Sequence, residues 1–194
     1  MTVVAAPFGP EDVAVVVVNW NAAEETLRCL AALRALTPPP GRLHVVDNGS
    51  QDGSVDRIAT EFPTVVLHRH AENRGFAGGA NAGAAAALAA GARAVWFMNN
   101  DARPAPDALG RLVEAARRRP EFGLYGPKIF RDRARGVLWA CGVEFRFGPN
   151  LARLRGFGEL DRGRYDAEEP IASLTGCGLL ATADVCARIG LFDE

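Results

Sequence analysis

Val13-Ala14-Val15-Val16-Val17-Val18-Asn19-Trp20-Asn21 is the stretch that decides the fold. Its apolar run is β-branched at every position except Ala14 and has no polar face, as in a strand covered on both sides. A strand of that kind belongs in a parallel sheet sandwiched by helices. The polar residues that close the run fall at its carboxyl end. Asn21, with Glu24 three residues on, offers a capping box. Leu27, Leu30, Leu33 and Leu36 then recur at helical spacing, and Thr37-Pro38-Pro39-Pro40 stops the helix.

Outward from there the pattern repeats. Leu43 to Val46 reads as a second strand, closed by the turn signal Asp47-Asn48-Gly49-Ser50. Asp52 or Ser54 can cap a short helix carrying Val55, Ile58 and Phe62. Thr64 to Leu67 is a third strand. A glycine-rich loop, Asn73 to Gly79, leads into an alanine-rich helix. Ala94 to Met98 is a fourth strand, with Asn99-Asn100-Asp101 at its end, and Pro106 opens a helix through Leu109, Leu112, Val113 and Ala116. The order predicts an α/β fold: a mostly parallel central sheet with helices on both faces. Ligands of such sheets bind at the carboxyl ends of the strands. Asn19, Asp47, the 73–81 loop and Asp101 are therefore expected on one rim.

From Gly123 the pattern shortens. Leu124 to Phe130, Val137 to Cys141 and Val143 to Phe147 suggest a strand and a hairpin. Residues 152–169, dense in charge and glycine, read as an exposed loop. Ile171 to Ala181 reads as a strand-like segment and Thr182 to Ile189 as a short helix. The expected organisation is an arm over 1–12, an α/β half over 13–122, and a continuation of the same domain over 123–194 that stops short at its C-terminus.

Composition narrows the function. A chain of 194 residues can bury roughly 70% of its unfolded surface without a staple. Lys plus Arg is 22 and Asp plus Glu is 23, so no basic excess marks a nucleic-acid binder. No apolar run approaches the ~20 residues of a membrane span, and no basic flank and apolar core mark a signal peptide. Cys29, Cys141, Cys177 and Cys186 form no C-x-x-C pair, which fits a reducing cytoplasm.

Asp101 is the strongest candidate for chemistry. One carboxylate at a strand end, completed by phosphate oxygens and water, is a normal Mg²⁺ arrangement; the same residue could equally close a turn. Asp47 can accept from a nucleobase N–H or a ribose hydroxyl, or simply form its turn. Asp52 reads as a cap. In the loop Asn73-Arg74-Gly75-Phe76-Ala77-Gly78-Gly79-Ala80-Asn81-Ala82-Gly83, the glycines allow close approach to a ligand at a helix N-terminus, and Arg74 could bond a diphosphate. The competing explanation is close packing of helix on sheet. It is neither G-x-G-x-x-G nor a Walker loop. His68 and His70 share a strand face, but no third ligand is evident, and a solvent-facing strand end is the simpler account. No serine lies in a G-x-S-x-G context.

The order of these segments is more specific than any of them. Val-Val-Val-Asn-Trp-Asn at 16–21, Val-Val-Asp-Asn-Gly-Ser-Gln-Asp-Gly-Ser at 45–54, Asn-Arg-Gly-Phe-Ala-Gly-Gly-Ala-Asn-Ala-Gly at 73–83 and Met-Asn-Asn-Asp at 98–101 occur in sequence. Together they closely resemble the family 2 glycosyltransferases, particularly the rhamnosyltransferase-like branch. The likeness extends from about Val13 through Thr175-Gly-Cys-Gly-Leu-Leu to Gly190-Leu-Phe-Asp-Glu194.

That resemblance implies a nucleotide-diphospho-sugar transferase fold of the glycosyltransferase A type and transfer with inversion. It implies a dTDP- or UDP-sugar donor, a glycan or lipid-linked acceptor, and work in the cytoplasm or at the inner membrane face, in cell-surface polysaccharide assembly. Carried over, Asn19 lies against the nucleotide and Asp47 contacts the base. Asn73, Arg74 and Gly75 line the nucleoside diphosphate, Asn100 joins them, and Asp101 binds Mg²⁺ or Mn²⁺. Position 99 is Asn where the D-x-D motif has Asp, which leaves one carboxylate for metal. The family's base is an acidic residue downstream of the Gly-Leu-Phe-Asp-Glu segment. Asp193 and Glu194 match the flank instead, so the base stays unassigned, with Asp193 the lesser candidate. The rival expectations are a non-catalytic or truncated nucleotide-sugar-binding module and a nucleotidyltransferase. The second lacks its early glycine-rich, basic loop after Val18.

Overall fold

The computed structural model describes residues 7–145 and 151–194. Four parallel strands form the centre: β1 (Val13–Asn19), β2 (Arg42–Asp47), β3 (Val66–Arg69) and β4 (Ala94–Asn99). Between and after them come α1 (Ala23–Arg34), α2 (Ser54–Glu61), α3 (Gly75–Ala89) and α4 (Ala108–Arg118). Next in the chain are β5 (Leu124–Tyr125), β6 (Ile129–Asp132), β7 (Val137–Ala140), β8 (Val143–Phe145), β9 (Ala152–Leu154), β10 (Leu179–Thr182) and α5 (Ala183–Ile189). The main sheet runs β3-β2-β1-β4-β10-β5, with β10 antiparallel to both neighbours. The expected mostly parallel α/β sheet is thus present.

Alternation along β1 builds two cores at once. Val13, Val15 and Val17 face α1, α2 and α4, where they meet Leu30, Leu33, Ile58, Leu109 and Trp96. Ala14 and Val16 face α3, with Ala80, Ala84 and Ala87. Apolar residues at successive positions of a strand need helices on both faces, which accounts for the uninterrupted valine run.

Several local expectations change. Asn21 does not cap α1. Its backbone has φ 48, the N-cap is Ala22, and Ala23 N donates to Asp52 Oδ2 at 3.1 Å. Asp52 Oδ1 accepts from Ser54 N at 3.0 Å, so one carboxylate serves the first turns of two helices. The expected loop at 73–79 is largely helix, because α3 starts at Gly75, and α4 starts at Ala108 rather than Pro106. The described part of the N-terminal arm is docked: Phe8 is buried in the core, and Arg117 Nε donates to its carbonyl at 3.0 Å.

The second portion is rewired. The strand expected over 124–130 divides into β5 and β6, and β7 pairs with β6. The hairpin expected between 137–141 and 143–147 does not form. β7 and β8 lie consecutively on one arm of a ribbon, and the return arm holds β9 and a bridge from Leu160 to Val137. Residues 146 and 147 of that expected strand fall outside the described residues. The presumed loop 152–169 is tied into this ribbon and its ion pairs. Of the strand expected over 171–181, β10 is formed by Leu179–Thr182. Thr182 Oγ1 then caps α5 by accepting from Val185 N at 3.3 Å.

Candidate functional site

Parallel register aligns the strand ends: Asn19 pairs with Asp47, and Val18 with Asn99. Residues far apart in sequence therefore meet at one rim. Beneath it lies a buried polar floor. Asn19 and Thr26 are fully buried, and Asp47 and Asn48 are each 2% exposed. Asn19 Nδ2 donates to Asp47 Oδ1 at 2.7 Å and to Ser50 Oγ at 3.0 Å. Ser50 N donates to Asp47 Oδ2 at 3.0 Å. Thr26 Oγ1 donates to Asn19 Oδ1 at 2.6 Å, and Asn100 Nδ2 donates to Thr26 Oγ1 at 3.1 Å. Both oxygens of a buried carboxylate are thus bonded, which its burial demands. The network also runs from the end of β2, through β1 and α1, to the end of β4.

Asn19, expected against the nucleotide, is therefore a floor residue. Its Nδ2 fixes the orientation of the Asp47 carboxylate. Each Asp47 oxygen keeps a lone pair beyond the bonds just described.

The start of α3 forms the second side of the rim. Asn73 Oδ1 accepts from Gly75 N at 2.8 Å, and Asn48 Nδ2 donates to Gly75 O at 2.8 Å. Gly75 has φ +70, a conformation that favours glycine, and its Cβ direction is open. Asn73, Arg74 and Gly75 are exposed. The other glycines of this motif pack. A Cβ on Gly83 would lie 2.6 Å from Val16 Cγ1, and one on Gly79 would lie 2.9 Å from Val18 Cγ1. The motif thus holds both alternatives left open by its sequence: ligand-side geometry at Gly75 and close helix–sheet contact at Gly79 and Gly83.

Asp101, just past β4, is exposed and has no ion-pair or hydrogen-bond partner among the described residues. Cys29 lies below it and donates from Sγ to Asn99 O at 3.5 Å. Burial pushes the Cys29 thiol up to about 12 and raises that of Cys177. Cys29 is fully buried and bonded to Asn99 O, so the exposed donor at this strand end is the hard oxygen of one carboxylate. Among the described residues no three His, Cys, Asp or Glu side chains group as a metal cage. That chemistry fits Mg²⁺ or Mn²⁺ completed by a ligand's phosphate oxygens, and not a soft-metal site.

His68 and His70 are each partly exposed, and each ring engages a neighbour. His68 Nε2 lies 3.0 Å from buried His44 Nδ1, one ring donating to the other, and the rings stack. His70 Nδ1 lies 3.1 Å from Asn48 Oδ1. Desolvation, with His68 and Arg42 nearby, lowers His44 to about 4.

Two kinds of residue escaped the sequence. Thr26 sits in the first turn of α1 and Ser50 in an ordinary turn; neither carries a local signal for its place in the floor. Trp20 did carry one, as a large aromatic directly after Asn19, and its 54% exposure at the rim makes it available for stacking.

Residues 14–163 match the family profile described as Glycosyl transferase family 2. The chain belongs to glycosyl transferase family 2. Among curated relatives in the family, an N-acetylglucosaminyl-diphospho-decaprenol L-rhamnosyltransferase of Mycobacterium tuberculosis is 28% identical over 93% of this chain. The chain spans 64% of that relative's length. Among solved structures, a mannosyltransferase from Pyrobaculum calidifontis, in complex with GDP-Man and Mn²⁺, superposes with TM-score 0.62 at 23% identity. The match covers 94% of this chain and 47% of that one. S. aureus TarS 1–349 in complex with UDP gives 0.55 at 18% identity, over 64% and 37%. These likenesses establish the family and its fold. No helix among the described residues is long and apolar enough to cross a membrane.

Proposed function

We propose that the rim binds a nucleoside-diphosphate sugar and that the chain serves a metal-assisted, inverting glycosyl transfer to a glycan or lipid-linked acceptor. The carrying observation is that exposed Arg74 and Gly75 at a helix start, bonded Asp47, and Asp101 without a partner among the described residues all follow the carboxyl ends of the parallel strands. Asp47 accepts from the base edge, and Trp20 supplies the surface on which the base stacks. Arg74 and the first N–H groups of α3 take the diphosphate. Asn100, hydrogen-bonded to Thr26, orients the sugar side of the rim. Asp101 holds Mg²⁺ or Mn²⁺, which when bound stabilises charge on the departing diphosphate.

In the transfer, a base removes the acceptor hydroxyl's proton as its oxygen attacks the anomeric carbon from the face opposite the leaving diphosphate. No residue is assigned as this base: exposed Asp193 matches the segment that flanks the family's base and is the lesser candidate. The M. tuberculosis relative, named for L-rhamnosyl transfer to a decaprenol-linked acceptor, supports a deoxyhexose and a lipid-linked acceptor. A dTDP or UDP carrier, and work at the inner face of the membrane in surface-glycan assembly, follow from the resemblance of the motifs alone.

The test is a titration with UDP, dTDP and GDP, with and without Mn²⁺, on wild type and Asp101→Ala. The expected result is nucleotide affinity that rises with Mn²⁺ and loses that rise in the variant. Metal-dependent binding that persists in Asp101→Ala would overturn the metal assignment, and no binding of any diphosphate would overturn the donor site. Given binding, release of sugar from the matching nucleotide-sugar separates a catalyst from a binding module.

A further inference from the structure

After α5 the chain turns back across the sheet as Leu191-Phe192-Asp193-Glu194 and meets α3. Asn81, in the second turn of α3, holds this segment from three sides. Its Nδ2 donates to Phe192 O at 2.8 Å and to Glu194 Oε1 at 2.8 Å, and Phe192 N donates to its Oδ1 at 2.9 Å. One amide side chain thus pairs with both backbone groups of a single residue, as a neighbouring strand would. Such a clamp fixes the backbone of Phe192 and with it the direction of the ring.

That ring stands between two elements of the rim. It meets Phe76 edge-on, with centroids 5.5 Å apart, and Phe97 at 4.9 Å. Phe76 directly follows Gly75 at the start of α3. Phe97 lies on β4, two residues before Asn99. Phe192 therefore spaces the element carrying Arg74 from the element leading to Asp101.

We propose that Asn81 is a positioning residue. By holding Phe192 as a spacer between α3 and β4, it sets the distance across which a ligand's diphosphate must reach. The inference rests on the donor-site reading above. A diphosphate has a nearly fixed span, so its contacts at the two ends form together only at the right separation. Misplacement of the ends by about an ångström is enough to cost a large factor. A nucleoside monophosphate does not bridge the ends and is indifferent to the spacing.

The experiment compares UDP, dTDP or GDP, whichever wild type binds, with the matching monophosphate, in Mn²⁺ and at a temperature where each variant is folded by circular dichroism. Asn81→Ala and Phe192→Ala are expected to weaken the diphosphate by about tenfold and leave the monophosphate within about twofold. Asn81→Asp sets a carboxylate against that of Glu194 and is expected to lose as much. The double variant Asn81→Asp/Glu194→Gln restores the pair between positions 81 and 194, though not the bond to Phe192 O, and is expected to recover part of the loss. Equal weakening of mono- and diphosphate, no weakening, or no recovery in the double variant overturns the positioning role while the donor site stands. If wild type binds no nucleotide, the donor site itself falls and this inference with it.

Discussion

The strands β1 to β4 and the ribbon formed by β6 to β9 are held together by different forces. The first region buries Val15, Val17, Leu30, Leu33 and Trp96 at 1% exposure or less and bonds its buried Asn19, Thr26 and Asp47 internally, although His44 Nε2 is left without a partner among the described residues. The second buries Leu138 and Ala140 on β7 but joins most of its remaining length through ion pairs, several of them partly exposed. Lys128, the only lysine in the chain, donates to Asp161 Oδ2 at 2.6 Å and also pairs with Asp166. Arg155 pairs with Glu169, Arg164 with Glu159, and Arg118 on α4 reaches over to Glu168. Exposed pairs of this kind contribute about 0–1 kcal/mol each, whereas one large buried side chain is worth several. The rim grows from the first region, so its geometry is set by burial rather than by salt-sensitive contacts.

The largest expected effect breaks the first region outright. Trp96→Ala removes a 1%-exposed indole whose Nε1 donates to Gly178 O at 2.9 Å, tying β4 to the turn before β10. It should cost about 3–5 kcal/mol in urea unfolding. A loss below about 1 kcal/mol would mean that this half is not the dominant core.

Acid should weaken the same region next. Folded His44 binds its proton near pH 4, while the unfolded chain binds it near 6.5, so stability is full above 6.5 and falls as pH drops toward 4. The contribution is about 3 kcal/mol over that window. His44→Leu should flatten the slope of stability against pH between 6.5 and 4.5. An unchanged slope would remove His44 as its source.

Within the floor, Asn19→Ala withdraws the Nδ2 donor from buried Asp47 and leaves Thr26 without its acceptor. The expected cost is about 2 kcal/mol, accompanied by weaker nucleotide binding, because Asp47 is then free to rotate. Stability lost with nucleotide affinity intact would separate the floor from the site.

The smallest effect belongs to the ribbon. Lys128→Met should cost about 0.5–1 kcal/mol or less. Raising salt should speed amide exchange over residues 137–160 before it does so over 13–99. Equal salt sensitivity in both regions would erase the contrast.

The same contrast governs what the sequence disclosed. The valine run, the Leu27 to Leu36 stripe and the turn at Asp47 each carry a signal within a few residues, and the parallel half follows from them. Elements β5 to β9 have two to four residues each, too short for periodicity to name a partner. Their pairing depended on which edges remained free, so β7 joined β6 instead of β8. At the site, the exposed residues Asn73, Arg74, Gly75 and Asp101 stood out in the linear pattern. The separation of Asn19 as floor from Asp101 as rim did not, because burial is a property of the packed neighbours.

By itself, the sequence determined that this chain would form a parallel sheet covered on both faces, and that its polar motifs would end on one rim. Alternation and strand direction are local facts, and they suffice for both. Tertiary structure alone decided that β10, from residues 179–182, enters antiparallel beside β4. It alone paired His44 with His68 and set Asn81 on the backbone of Phe192. Those contacts join segments whose own preferences are silent about each other. They form only where the buried faces of the sheet leave a free edge, a gap or an unmet hydrogen bond to fill.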